Sequence, residues 1–342
     1  MSMPKLLLRR WRVAVALVAA ALLALPTAPA RAAAEKTTLA LPALALIFLS
    51  DYVAEAAHLY EKEGLDVKVV LVTGVGAFNA VVSGSADFSM SSGLTLNRAA
   101  AHGQRMLAIA NTIDHFPGEL VLRKDIADSI HFDPAAPLAT RAKAMIGRTM
   151  GVDSINSIVH AYLRVIARAG GIDPEKMTVA PLQPADMLSA LDRKAVDGFS
   201  FGPPWPEKVL TEGKAVLLAS GLKGDPPGIT PFAYNVLVTR PDYCTAHASI
   251  CTKMGHAMID AARFIHDHPG ETLGFLRVRY KDVSEAALKL SLEEITAATP
   301  LLPKVDATGL GNAERLNIEA GLMKPEDKVK SYDGLFTDAY LK

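Results

Sequence analysis

Residues able to do chemistry gather in a few short stretches of the chain. GVDSINS, from Gly151 to Ser157, opens an amphipathic helical run with polar, cap-forming side chains. A helix start presents unpaired N–H groups and the positive end of its dipole, which suits an anion. Asn156 or Ser157 can instead cap its own helix, and both uses hold together if the side chain caps while the backbone binds. Ser91-Ser92-Gly93 ends a strand-like segment and could donate hydroxyls. Cys244 and Cys251 are the two cysteines. They are too few for structural zinc, which wants four ligands. They read either as a local disulfide in an oxidising compartment or as two free buried thiols. His266 and His268 fall on different faces of a helix end, a poor metal pair. Asp114 and His115 read as solvated loop residues beside a strand.

Signatures of catalysis are missing. The sequence has no phosphate-binding Walker loop, Gly-x-Ser-x-Gly elbow, His-Glu-x-x-His or Cys-x-x-Cys. Gly74-Val75-Gly76 lacks the third glycine of a dinucleotide fingerprint and reads as a tight turn. With no nucleophile and base to pair, the expectation is a binding protein, not an enzyme, without cofactor and without metal.

The elements that carry these residues follow an unusual leader. Lys5, Arg9, Arg10 and Arg12 precede an apolar run from Val13 to Leu25, then Pro26 and the small-residue step Ala30-Arg31-Ala32. That pattern reads as a signal peptide over residues 1–32, short for a membrane span of about 20 apolar residues. The Arg9-Arg10 pair hints at twin-arginine export, but Trp11 and Arg12 after it fit that signal poorly, so the reading is ordinary secretion with cleavage near Ala32. Removing it takes five basic residues from 36 and leaves 31 against 36 acidic ones. A mildly acidic product argues against a nucleic-acid partner.

Across the remaining chain one phrase is written twice. Ser83-Gly-Ser-Ala-Asp87-Phe-Ser-Met90 echoes Asp192-Arg-Lys-Ala-Val-Asp197-Gly-Phe-Ser-Phe201. Gly64-Leu-Asp-Val67 likewise echoes Gly171-Ile-Asp-Pro174, and the two offsets are 107 and 110 residues. Before each glycine runs an amphipathic helix, and before each helix a strand candidate, TTLALPA and RTMGVD. The glycines stand where a helix end needs a left-handed residue. Each half reads strand, helix, strand, helix, strand, which gives mostly parallel sheets with helices on their faces. The expectation is two similar α/β lobes. GELVLRKD, from Gly118, and PFAYNVLVTR, from Pro231, look like two strands crossing between lobes. The helices after Arg240 are expected to complete the first lobe. A cleft between lobes is a natural ligand site.

These residues, in this order and spacing, resemble the periplasmic substrate-binding proteins of ABC importers. The resemblance is to the nitrate, sulfonate, taurine and thiamine-pyrimidine precursor group. It covers nearly the whole chain after the leader, including the Pro-x-x-Tyr-x-x-Leu-Val stretch with Tyr234 and the Asp-Ala-Tyr-Leu ending. It implies two Rossmann-like lobes joined by two crossover strands, as in type II periplasmic binding proteins. Lobe 1 would span 33–122 and 232–342, and lobe 2 would span 123–231. It further implies a periplasmic monomer that passes a small solute to an inner-membrane permease and its ATPase. The solute expected is a small organic anion, sulfonate- or carboxylate-like, with a thiamine-pyrimidine precursor as the alternative. A secreted enzyme on the same fold is a more distant one. The thiamine-pyrimidine synthases that share the fold carry a cysteine-rich motif, absent here. Implied ligand contacts are Phe48 and Ser50, then Ser91, Ser92 and Gly93, then Ser154, Asn156 and Ser157, then Pro204 and Trp205, with Tyr234. Trp205 is expected to supply a flat apolar wall. Gly202 stands where taurine-type members carry an acidic residue suited to an amine.

Overall fold

Two five-stranded sheets divide the chain, and the repeated phrase builds the same three strands in each. The computed structural model describes residues 33–342, so the expected signal segment lies outside the described residues. In the first half β1 (Glu35–Leu41), β2 (Leu65–Leu71) and β3 (Phe88–Ser91) run parallel in the order β2-β1-β3. β4 (Leu107–Ile113) follows in the same sheet and β5 (Glu119–Arg123) in the other. In the second half β6 (Thr149–Val152), β7 (Thr178–Pro181) and β8 (Gly198–Phe201) repeat the parallel order as β7-β6-β8. β9 (Ala215–Ser220) and β10 (Asn235–Thr239) complete the set.

The full orders are β2-β1-β3-β10-β4 and β7-β6-β8-β5-β9, with β10 and β5 antiparallel to their neighbours. The expected pair of α/β lobes is therefore borne out, with Asp87 and Asp197 in separate sheets. β5 and β10 are the expected crossover strands: β5 follows β4 of the first sheet but lies in the second, and β10 follows β9 of the second but lies in the first. Each is inserted antiparallel between two neighbours, with residues 114–118 and 221–234 leading into them.

Burial follows strand position. β2 is an edge strand and leaves Asp66, Lys68 and Leu71 exposed, whereas β8 lies inside its sheet and is buried throughout. Gly64 and Gly171 both take φ of +75°, the left-handed turn expected of them. The helices after β10 share out between the lobes. Ala248–Asp267 packs on Leu49–Ala56 and β4 of the first lobe. Glu285–Ala298 packs on Trp205–Thr211 of the second. Ala307–Glu319 lies against Gly93–Ala101 on one side and Ile158–Ala169 on the other. The last two therefore join the lobes rather than simply completing the first. Cys244 and Cys251 are bridged, with Cα atoms 5.7 Å apart.

Candidate functional site

Between the carboxyl ends of the two sheets lies a cavity of about 60 Å³, room for a few waters or a small chemical group. From the first lobe come Phe48, Ser91, Ser92 and Thr95; from the second come Asp153 and Ser157. Tyr234 and Asn235 enter at the start of β10. Parallel strands direct their carboxyl ends and the following helix starts to one side, so such a crevice is where open α/β sheets take ligands.

Two helix starts converge on it. Ser92 caps Gly93–Ala101, its Oγ accepting the Thr95 N–H at 3.3 Å. Ser157 caps Ile158–Ala169 and accepts the His160 N–H at 3.2 Å. Each therefore serves its own helix while lining the cavity, and each brings the positive end of a helix dipole. No Lys or Arg lines the cavity among the described residues.

Two lining residues carry buried polar atoms without a partner, Asp153 Oδ1 and Tyr234 Oη, and a third such atom, Ser154 Oγ, stands against Gly74 outside the lining. Buried polar groups are nearly always satisfied, so those at the lining are poised for a ligand or its waters. Burial pushes the Asp153 carboxyl above its usual range, and the Ser157 hydroxyl opposes that shift. Burial also drives the Tyr234 hydroxyl upward, so it stays a donor. Asp153 is the single charged group lining the cavity among the described residues.

Hydrogen bonds across the cleft close it. Leu46 N–H, in the loop after β1, donates to Pro203 O in the loop after β8 at 2.8 Å. The indole N–H of Trp205 donates to Leu44 O at 2.9 Å. Arg98, on Gly93–Ala101, donates to Asn156 O at 2.8 Å. Asn156 is set for this by a left-handed φ of +66°, its own N–H donating to His160 Nδ1 at 2.9 Å. Burial holds His160 down to about 4, so the ring stays neutral and can accept. Gly74 takes φ of +58°, and a side chain there would come within 2.5 Å of Ser154 Oγ. The Gly74-Val75-Gly76 turn thus lets the two lobes approach.

Phe48, Ser91, Ser92, Ser157 and Tyr234 line the cavity. Ser50 and Gly93 are buried outside the lining, Ser50 within Leu49–Ala56 and Gly93 with its N–H on Ala233 O. Asn156 is exposed at the rim. Pro204 and Trp205 lie outside the lining, and Trp205 turns its ring edge to Tyr280 at 5.9 Å. Asp153 lies inside GVDSINS, and neither it nor Asn235 carries a sequence signal of its own that marks it as a ligand contact. Asn235 donates to Ile47 O at 2.8 Å and to Thr112 Oγ1 at 2.9 Å, fixing the wall.

The model of the NMT1/THI5-like family matches residues 47–272, a span that takes in both halves of the repeat and every cavity residue named above. The chain belongs to the NMT1/THI5-like family. No curated protein matches the sequence. Solved structures similar to this NMT1/THI5-like protein include one from Bordetella bronchiseptica RB50, with TM-score 0.76, 18% identity and 90% and 96% of the two chains covered. Another is the alkanesulfonate-binding protein SsuA from Xanthomonas axonopodis pv. citri bound to MOPS, with TM-score 0.68 and 16% identity over 89% and 98%. The periplasmic nitrate-binding protein NrtA from Synechocystis PCC 6803 has TM-score 0.61 and 16% identity over 74% and 69%. At these identities the likeness establishes the fold, that of periplasmic binding proteins.

Proposed function

We propose that this NMT1/THI5-like protein is a periplasmic solute-binding protein that closes its lobes over a small organic anion. It would act as a monomer and hand the solute to an inner-membrane ABC permease and its ATPase. The observation that carries this reading is the interlobe cavity with Asp153 Oδ1 and Tyr234 Oη unpartnered at its lining residues and two capped helix starts meeting it. The Cys244–Cys251 bridge fits an oxidising compartment such as the periplasm. Similarity to sulfonate- and nitrate-binding proteins of this fold points the same way.

In this reading the anionic group sits at Ser91, Ser92 and Ser157, taking hydroxyl and helix-start donors. Asp153 favours a second reading, an amine-bearing solute such as an aminopyrimidine precursor, because a buried carboxylate wants a donor opposite it. The two separate on one variant. Thermal shifts with alkanesulfonates, carboxylates, nitrate and aminopyrimidines should identify a stabilising class. Asp153→Asn should leave or improve the response to a simple anion, and should abolish the response to an amine. A panel that shifts neither wild type nor variant would remove the solute-binding reading.

A further inference from the structure

Away from the cleft, Glu119 on β5, Glu207 on the Trp205–Thr211 helix and Glu294 on the Glu285–Ala298 helix meet. One carboxylate oxygen from each lies within 4.8 Å of the other two, the only such group of three or more potential ligands among the described residues. Glu119 is 2% exposed and Glu207 is fully enclosed. Glu119 Oε2, both Glu207 oxygens and Glu294 Oε2 have no hydrogen-bond partner.

A second observation comes from the facing strand. Ser220 on β9 is directly opposite Glu119 in the ladder, so the two side chains share one face of the sheet. Its Oγ is also buried and unpartnered, at 1% residue exposure. Three carboxylates from three elements meet, and the Ser220 hydroxyl stands opposite Glu119 on the same face of the sheet. Lys223, exposed nearby, is the basic group whose charge reaches Glu119 and Glu294. Burying several carboxylates against one distant ammonium costs far more than such a contact returns.

We propose that Glu119, Glu207 and Glu294, with Ser220, form a site for a hard divalent cation of the calcium type. Oxygen-only donors select calcium, magnesium or manganese over zinc or copper. Calcium takes oxygens at roughly 2.3–2.6 Å, so opposite ligands around it stand about 5 Å apart. The observed span fits within that. Glu119 directly follows the 114–118 crossing, and Ser220 directly precedes the 221–234 crossing. A cation here fastens the Glu285–Ala298 helix to the second sheet at the base of both crossings, and so stiffens the hinge.

The test uses the full chain stripped with a chelator and then titrated calorimetrically with calcium, magnesium and manganese. One calcium per chain, with a rise in melting temperature, is the expected result. Glu207→Gln and Glu294→Gln should each weaken calcium binding by about tenfold or more. Glu294 is only partly buried, so Glu294→Gln decides the matter if Glu207→Gln fails to fold. Absence of binding heat and melting shift with all three cations would overturn the proposal, leaving shared protons as the neutralising charge. Calcium binding undiminished in Glu294→Gln would overturn it as well.

Discussion

Asp87 and Asp197 make the same contact in two different sheets. Asp87 Oδ2 accepts the N–H of Thr38 on β1 at 2.9 Å, and Asp197 Oδ2 accepts the N–H of Thr149 on β6 at 2.9 Å. The bond is returned each time, from Asp87 N–H to Thr38 O at 3.1 Å and from Asp197 N–H to Thr149 O at 2.8 Å. Behind each stands an arginine. Arg240 donates to Val81 O at 2.7 Å and Ala86 O at 3.2 Å, while Arg123 donates to Val196 O at 3.3 Å and lies 3.5 Å from Asp197. The repeated phrase is thus a strand clamp, placed where β3 and β8 must start in register beside β1 and β6.

Asp87→Ala and Asp197→Ala should therefore cost similar stability. Each loses charge-assisted hydrogen bonds at a partly exposed site, worth about 1–3 kcal/mol. Urea unfolding midpoints measure it. A clear loss in one variant with none in the other would show that the two clamps are not equivalent.

The Arg98–Asn156 contact exists only with the lobes together, so it should act on solute release. Arg98→Ala removes one charge-assisted bond across the cleft, about 1–2 kcal/mol. Affinity for the solute found by the thermal panel should fall roughly 5- to 30-fold. The change should appear in the dissociation rate, measured by stopped-flow fluorescence, with the association rate little altered. An unchanged dissociation rate would mean that this contact does not hold the closed state.

Asp51 gives the protein a pH dependence of known sign. Burial raises its carboxyl from 3.8 to about 7, partly offset by the Tyr60 hydroxyl that donates to it at 2.8 Å. The folded state therefore binds a proton that the unfolded state releases between those values, so this residue lowers stability as pH rises through that window. Asp51→Asn keeps the Tyr60 bond without the charge. Its melting temperature relative to wild type should climb from about pH 4 to about pH 7 and then level off. A constant difference across that range would show that Asp51 does not titrate as described.

The lobes were legible in the sequence because their punctuation is local. Gly64 and Gly171 announce helix ends, and Asp87 and Asp197 announce strand starts, each within a few residues of the element it governs. The hydroxyls of the cavity were legible for the same reason, since Ser92 and Ser157 cap the helices they precede. Trp205 was not, because an indole beside a cleft gives no sign of which way it turns. Here the Leu44 carbonyl and the Tyr280 ring hold it away from the cavity. The antiparallel insertion of β5 and β10 was obscured because it depends on partners distant in the chain. Glu119, Glu207 and Glu294 lie farther apart still, and only the fold brings them together.

One calorimetric comparison tests whether a solute is held in the cavity between the lobes. Ser91 lines that cavity at the end of β3, so Ser91→Leu would fill space the solute needs while leaving the strand intact. Wild type titrated with the stabilising solute should bind one molecule per chain. At about 100 times Kd that solute should add roughly 2.7 kcal/mol of stability. Ser91→Leu should melt as wild type does alone and give no heat with the solute. Equal binding by the two proteins would contradict the account, because the solute would then sit somewhere other than this cleft.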